Sequence, residues 1–204
     1  MTINSKKAMT IYLFIDPLGS HCYHTERCIY NFKALREENI CVQIIPIVNT
    51  ENIKQAVRKR SVFTQGSPLE IQNALYLNVY HSCLAYIAAS MQGRKKARLL
   101  LTALQETVIN IGEFFSIELL MDIANKLNLD VAEFKQDFYS AFAKKCFIQN
   151  QKVAQEMKVS VTPACVISPN DSDAFYQIKG NINENTLDFI LEKLPDKAFN
   201  QSII

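Results

Sequence analysis

The feature that most constrains the fold is a pair of short apolar runs near the start of the chain, separated by one helix-length segment. The runs TIYLFI (10–15) and ICVQIIPIV (40–48) are dense in β-branched and aromatic side chains, which predicts strands buried on both faces. Between them, four apolar side chains recur at helical spacing: Cys22, Ile29, Phe32 and Leu35. This spacing predicts a helix over residues 21–38. A connection of that length predicts two parallel strands in a β-α-β unit.

From about residue 50 to 157 a helical period replaces the strand pattern. Segments 69–91 and 94–111 each carry apolar side chains on one face, with Gly93 between them, which predicts two core-facing helices. The predicted core positions are Tyr76, Tyr80, Cys83, Leu84, Ile87 and Met91 in the first helix, and Leu100, Leu101, Leu104, Val108 and Ile111 in the second. Ser116 and Asp130 are N-cap candidates, and each predicts a further helix.

Strand signals return after residue 158. The runs ACVIS (164–168) and FYQIKG (175–180) are joined by PNDSD, a turn-rich loop typical of an antiparallel hairpin. Residues 184–194 predict a final helix. The order β-α-β, helical block, β-β-α predicts an α/β, thioredoxin-like fold with a large all-helical insertion. Accordingly, residues 1–50 and 158–204 are expected to form the thioredoxin-like domain, and residues 51–157 the helical insertion domain.

Composition and charge exclude several functional classes. Apolar residues make up 49% of the 204 residues, whereas the net charge is only +2, too small to indicate a polyanionic partner. The basic clusters Arg58-Lys59-Arg60 and Arg94-Lys95-Lys96 are not interleaved with aromatic residues, so they predict solvated faces rather than a nucleic-acid site. No run approaches the roughly 18 apolar residues of a membrane span. The opening MTINSKKAMT precedes too short an apolar run for an export signal, and the protein is expected in the cytoplasm.

The six cysteines of the chain do not predict a disulfide framework. In a reducing compartment they are expected to be free thiols. Cys41 and Cys146 are interpreted as packing residues, one in a buried strand and one near a helix end. Cys83 lies on the apolar stripe of its helix, so its neighbour His81 is not interpreted as its catalytic base. No cofactor is expected.

The stretch FIDPLGSHCYHTE contains the position where a redox site begins in thioredoxin-like enzymes. Those enzymes place C-x-x-C at the start of the first helix, where the helix dipole stabilises a thiolate at the first Cys. Here the four residues are Gly19, Ser20, His21 and Cys22, so the attacking thiol is missing. Cys22 alone cannot cycle as a dithiol, and we interpret it as a small packing side chain under the first helix. Thr162 and Pro163 precede the third strand, where this fold keeps a cis proline facing that site.

One metal-binding alternative involves the same helix. His21, His24 and Cys28 fall at i, i+3 and i+7, on one helical face, and these side chains are good zinc ligands. The sequence shows no fourth ligand, and His24 is expected to face water. Structural zinc sites usually show paired short Cys or His spacings, so no metal is expected.

Three segments together resemble one family: FIDPLGSHCYHTE, AASMQGRKKARLLLTALQE and VAQEMKVSVTPACVI. They are similar to the DsbA-like family that includes the SpxH-type (or YjbH-type) adaptors of Firmicutes. The resemblance implies an adaptor that presents the transcription regulator Spx to the ClpXP protease. Gly19, Cys22, Thr162 and Pro163 carry over as a vestigial redox-type site. The partner-binding surface does not carry over, because no short motif marks it.

Two enzyme classes remain as alternatives to a non-catalytic adaptor. One is a DsbA-like thiol-disulfide oxidoreductase or isomerase that acts through Cys22. It requires a strongly depressed thiol pKa at Cys22 and turnover of a disulfide substrate. The other is a glutathione-dependent transferase on the same fold, which is disfavoured because the helical block interrupts the thioredoxin unit instead of following it.

Overall fold

A four-stranded mixed sheet forms the centre of the α/β part of the fold. The computed structural model describes residues 8–36, 39–60, 67–169, 175–180 and 182–193. The strands are β1 (Ala8–Ile15), β2 (Asn39–Pro46), β3 (Ala164–Pro169) and β4 (Tyr176–Lys179). Their spatial order is β2-β1-β3-β4. Strand β2 runs parallel to β1, whereas β3 is antiparallel to β1 and to β4.

Helices connect and cover the strands. In chain order they are α1 (Ser20–Ala34), α2 (Thr50–Arg60), α3 (Pro68–Met91), α4 (Arg94–Gln105), α5 (Ile117–Lys126), α6 (Val131–Tyr139), α7 (Ala141–Glu156) and α8 (Glu184–Lys193). A π-helical segment, Glu106–Ile111, continues α4 without a break. Helices α2 to α7 all lie between β2 and β3 in the sequence, so the predicted α/β fold with a helical insertion is confirmed.

Of the three apolar clusters among the described residues, the smallest surrounds Phe14 and Val166 on the sheet, and two larger ones hold the layers together. One lies against the sheet and joins β1 side chains such as Ile11 and Leu13 to α1 and α8. The other lies among the insertion helices, where Phe134 and Phe138 of α6 are fully buried. Truncating a buried Phe to Ala typically costs about 3–5 kcal/mol, so each core stabilises its own layer. Leu101 of α4 packs with the sheet core, which ties the insertion to the α/β part.

Strand β2 differs from its prediction. It ends at Pro46 rather than 48, and it is not buried on both faces: Gln43 is exposed, and Cys41 and Val42 are only half-buried. The reason is that β2 lies at the edge of the sheet and β1 at its centre. An apolar run predicts a strand but does not distinguish these positions. The prediction that Cys41 lies in a strand buried on both faces is therefore wrong, and the half-burial of Cys41 fits its packing interpretation only in part.

Helix α1 is shorter than predicted. It ends at Ala34, and Leu35, which the sequence pattern placed on the apolar face, is 78% exposed. Leu35 is the C-cap, where the backbone leaves helical geometry, so the helical period no longer applies to its side chain. The chain must then turn back towards β2, which begins at Asn39.

Three predicted core positions, two in α3 and one in the π-helical segment, are exposed instead. Tyr76 and Met91 of α3 are both partly exposed, Met91 because it is the last residue of its helix. Ile111 is 69% exposed. The segment predicted as one α-helix over 94–111 changes to π-helical geometry at Glu106, and the wider turn moves later side chains off the 3.6-residue period.

The helix starts at Ser116 and Asp130 are confirmed. Ser116 Oγ accepts from the Leu119 N–H at 3.1 Å, and Asp130 Oδ1 accepts from the Glu133 N–H at 2.9 Å. The long helix predicted after Asp130 is in fact two helices, because Ser140 ends α6 and caps α7. Helix α2 was not predicted at all. The hairpin of β3 and β4 is confirmed, although 170–174 of its loop lie outside the described residues.

Candidate functional site

A cleft of about 730 Å³ opens where the N-terminus of α1 meets the helical insertion. Its walls come from α1, α2, α3, the segment after the π-helix, and the loop before β3. The lining as a whole includes both apolar and polar side chains. The residues that carry the argument below are Asp16, Gly19, Cys22, Asn52, Phe114 and Thr162. Of the sequence-predicted redox-type positions, Gly19, Ser20, His21, Cys22 and Thr162 line this cavity, and Pro163 does not.

Gly19 is the N-cap of α1 and has no side chain with which to cap it. Its φ of −85° and ψ of 123° are open to any residue. A Cβ built at this position lies 3.2 Å from Cys22 Sγ and 3.3 Å from the Asp16 carbonyl oxygen. The spacing typical of a dithiol site is therefore retained in the backbone, while the first sulfur is absent.

Cys22 is buried, and its thiol is unreactive. It is 1% exposed, and its Sγ accepts a hydrogen bond from the backbone N–H of Asp16 at 3.3 Å. Burial, with a smaller contribution from the nearby Asp16 carboxyl, raises the pKa of the Cys22 thiol far above its ordinary value, although hydrogen bonds from the Asp16 N–H and the Thr162 side chain act in the opposite direction. A thiol that stays protonated at neutral pH does not attack disulfides. Its geometry fits the packing interpretation.

Asp16 shapes the turn that leads into α1. Its Oδ1 accepts from the Leu18 N–H at 2.9 Å, and its carbonyl accepts from the Gly19 N–H at 3.0 Å. Burial raises the pKa of the Asp16 carboxyl to about 6, and the hydrogen bond from Leu18 opposes that shift only in part. Asp16 therefore positions both Gly19 and the Cys22 sulfur.

The loop before β3 lies beside Cys22 in the cleft and is fastened to α2. The Thr162–Pro163 peptide bond is cis, and Pro163 O accepts from the Gly180 N–H at 2.9 Å. The side-chain amide of Asn52 donates to the Thr162 carbonyl at 3.1 Å and also to the Thr162 hydroxyl. One turn earlier, the amide of Asn49 donates to the Ser160 carbonyl at 3.0 Å.

The rim of the cleft carries an unusually exposed aromatic side chain. Phe114 is 95% exposed and follows Gly112, whose φ of +85° turns the chain out of the π-helical segment. The π-helical segment is anchored to α1 through the Tyr23 hydroxyl, which donates to the Glu106 carboxylate and accepts from the Asn110 amide at 3.0 Å. This anchor fixes the rim relative to the N-terminus of α1.

A second polar region lies on the face of α1 that packs against α4. Glu26 is 3% exposed, and its Oε2 has no hydrogen-bond partner within the described part of the chain; the same holds for Gln105 Nε2. Burial raises the pKa of Glu26 to about 7, against the opposing effects of Gln105 and Arg98. The Arg98 guanidinium also lies 4.6 Å from the centre of the Tyr30 ring.

The zinc alternative is not supported by the geometry. His21 and His24 are exposed, whereas Cys28 is half-buried. Among the residues that the structure describes, no group of three or more His, Cys, Asp or Glu side chains lies close enough to hold a metal ion. His21, His24 and Cys28 therefore share a helical face without forming a ligand set.

The remaining cysteines are free thiols and do not line the cleft. Cys83 and Cys165 are buried, whereas Cys146 is half-buried. Burial raises the pKa of the Cys165 thiol well above its ordinary value, with smaller contributions from nearby Cys28 and Cys22. Burial fits the packing interpretation of Cys83, and the half-burial of Cys146 fits it in part.

Sequence reasoning missed two walls of the cleft. Asn52 lies on α2, a helix that was not predicted because its mean composition is polar. Phe114 lies in the segment GEFFS, where a glycine after a helix followed by two aromatics was the available signal. The local sequence does not predict the role of either residue, because that role depends on a neighbour far away in the sequence.

Comparisons with known proteins agree on the fold. A family model described as Thioredoxin matches residues 12–188. A thioredoxin-like oxidoreductase from Silicibacter pomeroyi superposes with a TM-score of 0.64 at 16% identity, covering 96% of this chain and 91% of that one. The oxidoreductase DsbA from Xylella fastidiosa gives 0.61 at 14% identity, covering 95% and 88%. At these identities the likeness establishes a thioredoxin-like, DsbA-like fold and not an activity.

Several curated relatives are named ClpXP adapter protein SpxH. ClpXP adapter protein SpxH from Bacillus subtilis is 27% identical over 94% of this chain and 70% of its own length. The SpxH of Bacillus cereus is 30% identical over 92% and 69%, and that of Bacillus licheniformis is 29% identical over 78% and 57%. The chain thus spans between 57% and 70% of the length of these relatives. Within the described residues, no helix is long and apolar enough to cross a membrane.

Proposed function

Because the chain belongs to the family of ClpXP adapter proteins named SpxH, on a thioredoxin-like fold, we propose that it is a non-catalytic adaptor. It binds the transcription regulator Spx and promotes the degradation of Spx by the ClpXP protease. The proposal includes a cytoplasmic location for the protein. Nucleic acid and membrane have no part in the proposed function.

The observation that carries this proposal is the state of the redox-type site. The attacking position is Gly19, and the remaining thiol, Cys22, is 1% exposed with a pKa raised by burial. A thioredoxin-like fold without a reactive thiol still has its cleft, and this cleft holds about 730 Å³. Concave, mostly apolar clefts with a few placed polar groups are typical of binding sites. The surface therefore holds a client instead of oxidising it.

The two parts of the chain have different roles in this proposal. Residues 1–50 and 158–204 form a thioredoxin-like domain that supplies Gly19, Ser20, His21, Cys22, Thr162 and Pro163 as a vestigial redox-type site, now a binding wall. Residues 51–157 form an insertion domain that supplies the facing wall and the exposed Phe114. A client segment that lies in the cleft contacts both domains.

The test reconstitutes degradation with purified components. Purified Spx and ClpXP are incubated with and without the full chain, and the loss of Spx is followed over time. We expect the chain to accelerate degradation and to form a complex with Spx that is detectable by calorimetry. An unchanged rate together with no measurable complex would reject the proposal.

A matched pair of variants locates the client on the cleft. Phe114→Ala removes an aromatic side chain that is almost fully exposed, so the fold is expected to change in stability by less than about 0.5 kcal/mol. If Phe114 contacts the client, Spx binding weakens by about tenfold or more, as for an aromatic side chain central to an interface. Leu35→Ala is the control, because Leu35 is also apolar and exposed but lies at the far end of α1. Equal binding by both variants would exclude this rim of the cleft.

A further inference from the structure

Two side-chain amides at the start of α2, one from Asn49 just before the helix and one from Asn52 in its first turn, donate to backbone carbonyls in the loop that borders the cleft. Asn52 Nδ2 donates to the Thr162 carbonyl at 3.1 Å, and Asn49 Nδ2 donates to the Ser160 carbonyl at 3.0 Å. The two carbonyls are two residues apart, and both accept from the start of α2. They therefore point to the same side of the loop. Carbonyls at alternate residues are the groups that a neighbouring extended chain pairs with in a sheet.

The two asparagines differ in their other tasks. Asn49 caps α2, since its Oδ1 accepts from the backbone N–H groups of Glu51 and Asn52 at 3.0 and 3.1 Å. Asn52 instead directs its amide to both oxygens of Thr162. Asn52 and Thr162 also both line the cleft. The Asn52 amide thus lies where an occupant of the cleft would meet the loop.

A carboxamide N–H is the same kind of donor as a peptide N–H. The amide of Asn52 therefore makes the hydrogen bond to Thr162 that a main-chain N–H of an extended client segment would make. Thr162 is buried, and an unpaired buried carbonyl is costly. In the absence of a client, Asn52 removes that cost.

We infer that Asn52 is an internal competitor for the cleft: its amide holds the Thr162 carbonyl in the free protein and is exchanged for a backbone N–H when a client binds. This inference rests on the proposed adaptor function and specifies how its site is regulated. After the exchange the Thr162 carbonyl still accepts one hydrogen bond, now from the client. The hydrogen bond from the Asn52 amide, which lies within the chain, is broken. Affinity for the client is thereby lowered, and release to the protease is made easier. Proline cannot occupy the client position that faces Thr162, because proline has no N–H.

The experiment measures the dissociation constant of purified Spx for the full chain by calorimetry. Two variants remove the amide: Asn52→Ala, and Asn52→Leu, which keeps most of the side-chain volume. In both variants the Thr162 carbonyl no longer receives the hydrogen bond from position 52. A client N–H then pairs with that carbonyl without displacing a hydrogen bond within the chain. We expect each to bind Spx about threefold to tenfold more tightly than the wild type.

Asn150→Ala is the matched control. Asn150 Nδ2 also donates to a backbone carbonyl, that of Pro46 at 3.3 Å, but Asn150 does not line the cleft. We expect its affinity for Spx to equal that of the wild type. Circular dichroism of each variant checks that the helices are retained, and the Leu variant serves if the Ala variant does not fold.

Each outcome separates the competitor from the adaptor function. Tighter binding by both Asn52 variants, with no change in Asn150→Ala, supports the inference. Unchanged or weaker binding by the Asn52 variants, while the wild type binds Spx, overturns it, because the Thr162 carbonyl then accepts a client N–H on its second lone pair. Tighter binding by Asn52→Ala alone also overturns it, since space and not the hydrogen bond would then be limiting. If the wild type binds no Spx, the adaptor proposal is rejected, and the competitor with it.

Discussion

Helix α1 borders two polar regions that differ in how completely their polar atoms are paired. At the mouth of the cleft, the N–H of Asp16 pairs with Cys22 Sγ, and the amide of Asn52 pairs with both oxygens of Thr162. At the contact with α4, Glu26 Oε2 and Gln105 Nε2 are buried without partners among the described residues. The polar atoms named at the mouth therefore have hydrogen-bond partners, whereas the two named at the α4 contact do not.

This difference indicates which of the two regions responds to pH near neutrality. At the mouth, burial holds the Cys22 thiol neutral at any physiological pH, although the hydrogen bonds from the Asp16 N–H and the Thr162 side chain act in the opposite direction. At the α4 contact, burial brings the pKa of Glu26 to about 7, so this carboxyl is partly ionised near neutrality. Because an ionised carboxyl is costly to bury, stability near neutrality depends on pH chiefly through Glu26. The Cys22 thiol at the mouth does not titrate in that range, and Asp16 titrates at a lower pH than Glu26. Three experiments test this contrast between the mouth of the cleft and the α4 contact.

The largest expected effect comes from restoring the missing sulfur with Gly19→Cys. A Cβ at position 19 lies 3.2 Å from Cys22 Sγ, close to the roughly 3 Å that an S–S bond of about 2.05 Å requires between a Cβ and the opposite sulfur. We expect a disulfide to form under mild oxidation. The variant then shows one fewer alkylatable thiol than the wild type by mass spectrometry, although it has one more cysteine.

The same variant tests whether only the thiol is missing for catalysis. The sulfur introduced by Gly19→Cys would lie at the N-terminus of α1, where the helix dipole stabilises a thiolate. Reduction of a small disulfide substrate at neutral pH is expected to rise by about tenfold or more, in line with the larger thiolate fraction. A Ser20→Cys protein is the control, because its sulfur lies one position away. Failure of Gly19→Cys to form the bond would contradict the retained spacing at the mouth.

A second, smaller effect concerns the pH dependence of stability. The pKa of Glu26 is about 7 in the folded protein against an ordinary 4.5, so the folded state keeps a proton that the unfolded chain releases. This contribution to the unfolding free energy is complete below pH 4.5 and is lost as pH rises through 7. Between about pH 6 and about pH 8 the wild type is expected to lose about 1–1.5 kcal/mol by urea titration. Glu26→Gln removes most of that slope.

Asp16→Asn distinguishes the two regions in the same measurement. Asp16, at the mouth, has a pKa of about 6 against an ordinary 3.8. Its contribution to the unfolding free energy is therefore lost as pH rises from 3.8 through about 6, mostly before Glu26 titrates. Asp16→Asn should therefore flatten the stability curve in the acidic range and leave most of the slope near neutrality. If Asp16→Asn abolished the slope near neutrality and Glu26→Gln did not, the α4 contact would not be the responsive region.

The smallest expected effect is that of Cys22→Ser on adaptor activity. The thiol is buried and unreactive in the wild type, so losing it removes no chemistry. Replacing one buried sulfur by a hydroxyl is expected to cost about 1 kcal/mol of unfolding free energy. The rate of Spx degradation should stay within about twofold of the wild-type rate. Cys28→Ser gives the baseline for a half-buried cysteine of the same helix, and a large loss of activity in Cys22→Ser alone would favour the enzyme alternative.

Local patterns predicted most of the secondary structure. The N-caps Ser116 and Asp130 act within one helical turn, so three or four residues of sequence contain the whole interaction. The predictions failed where an element met its surroundings. Strand β2 is apolar enough for the centre of a sheet yet lies at its edge, and Ile111 follows the helical period yet is exposed.

The sequence by itself determined the order of the elements and the missing sulfur at position 19, because both are properties of the chain read residue by residue. Tertiary structure alone decided that Asn52 holds Thr162, 110 residues away in the sequence. It also decided that Glu26 and Gln105 meet at the contact of α1 with α4, where Glu26 Oε2 and Gln105 Nε2 lack partners among the described residues. Hydrogen bonds and desolvation depend on which groups are adjacent in space, and adjacency across such separations follows from the packing of whole helices against the sheet.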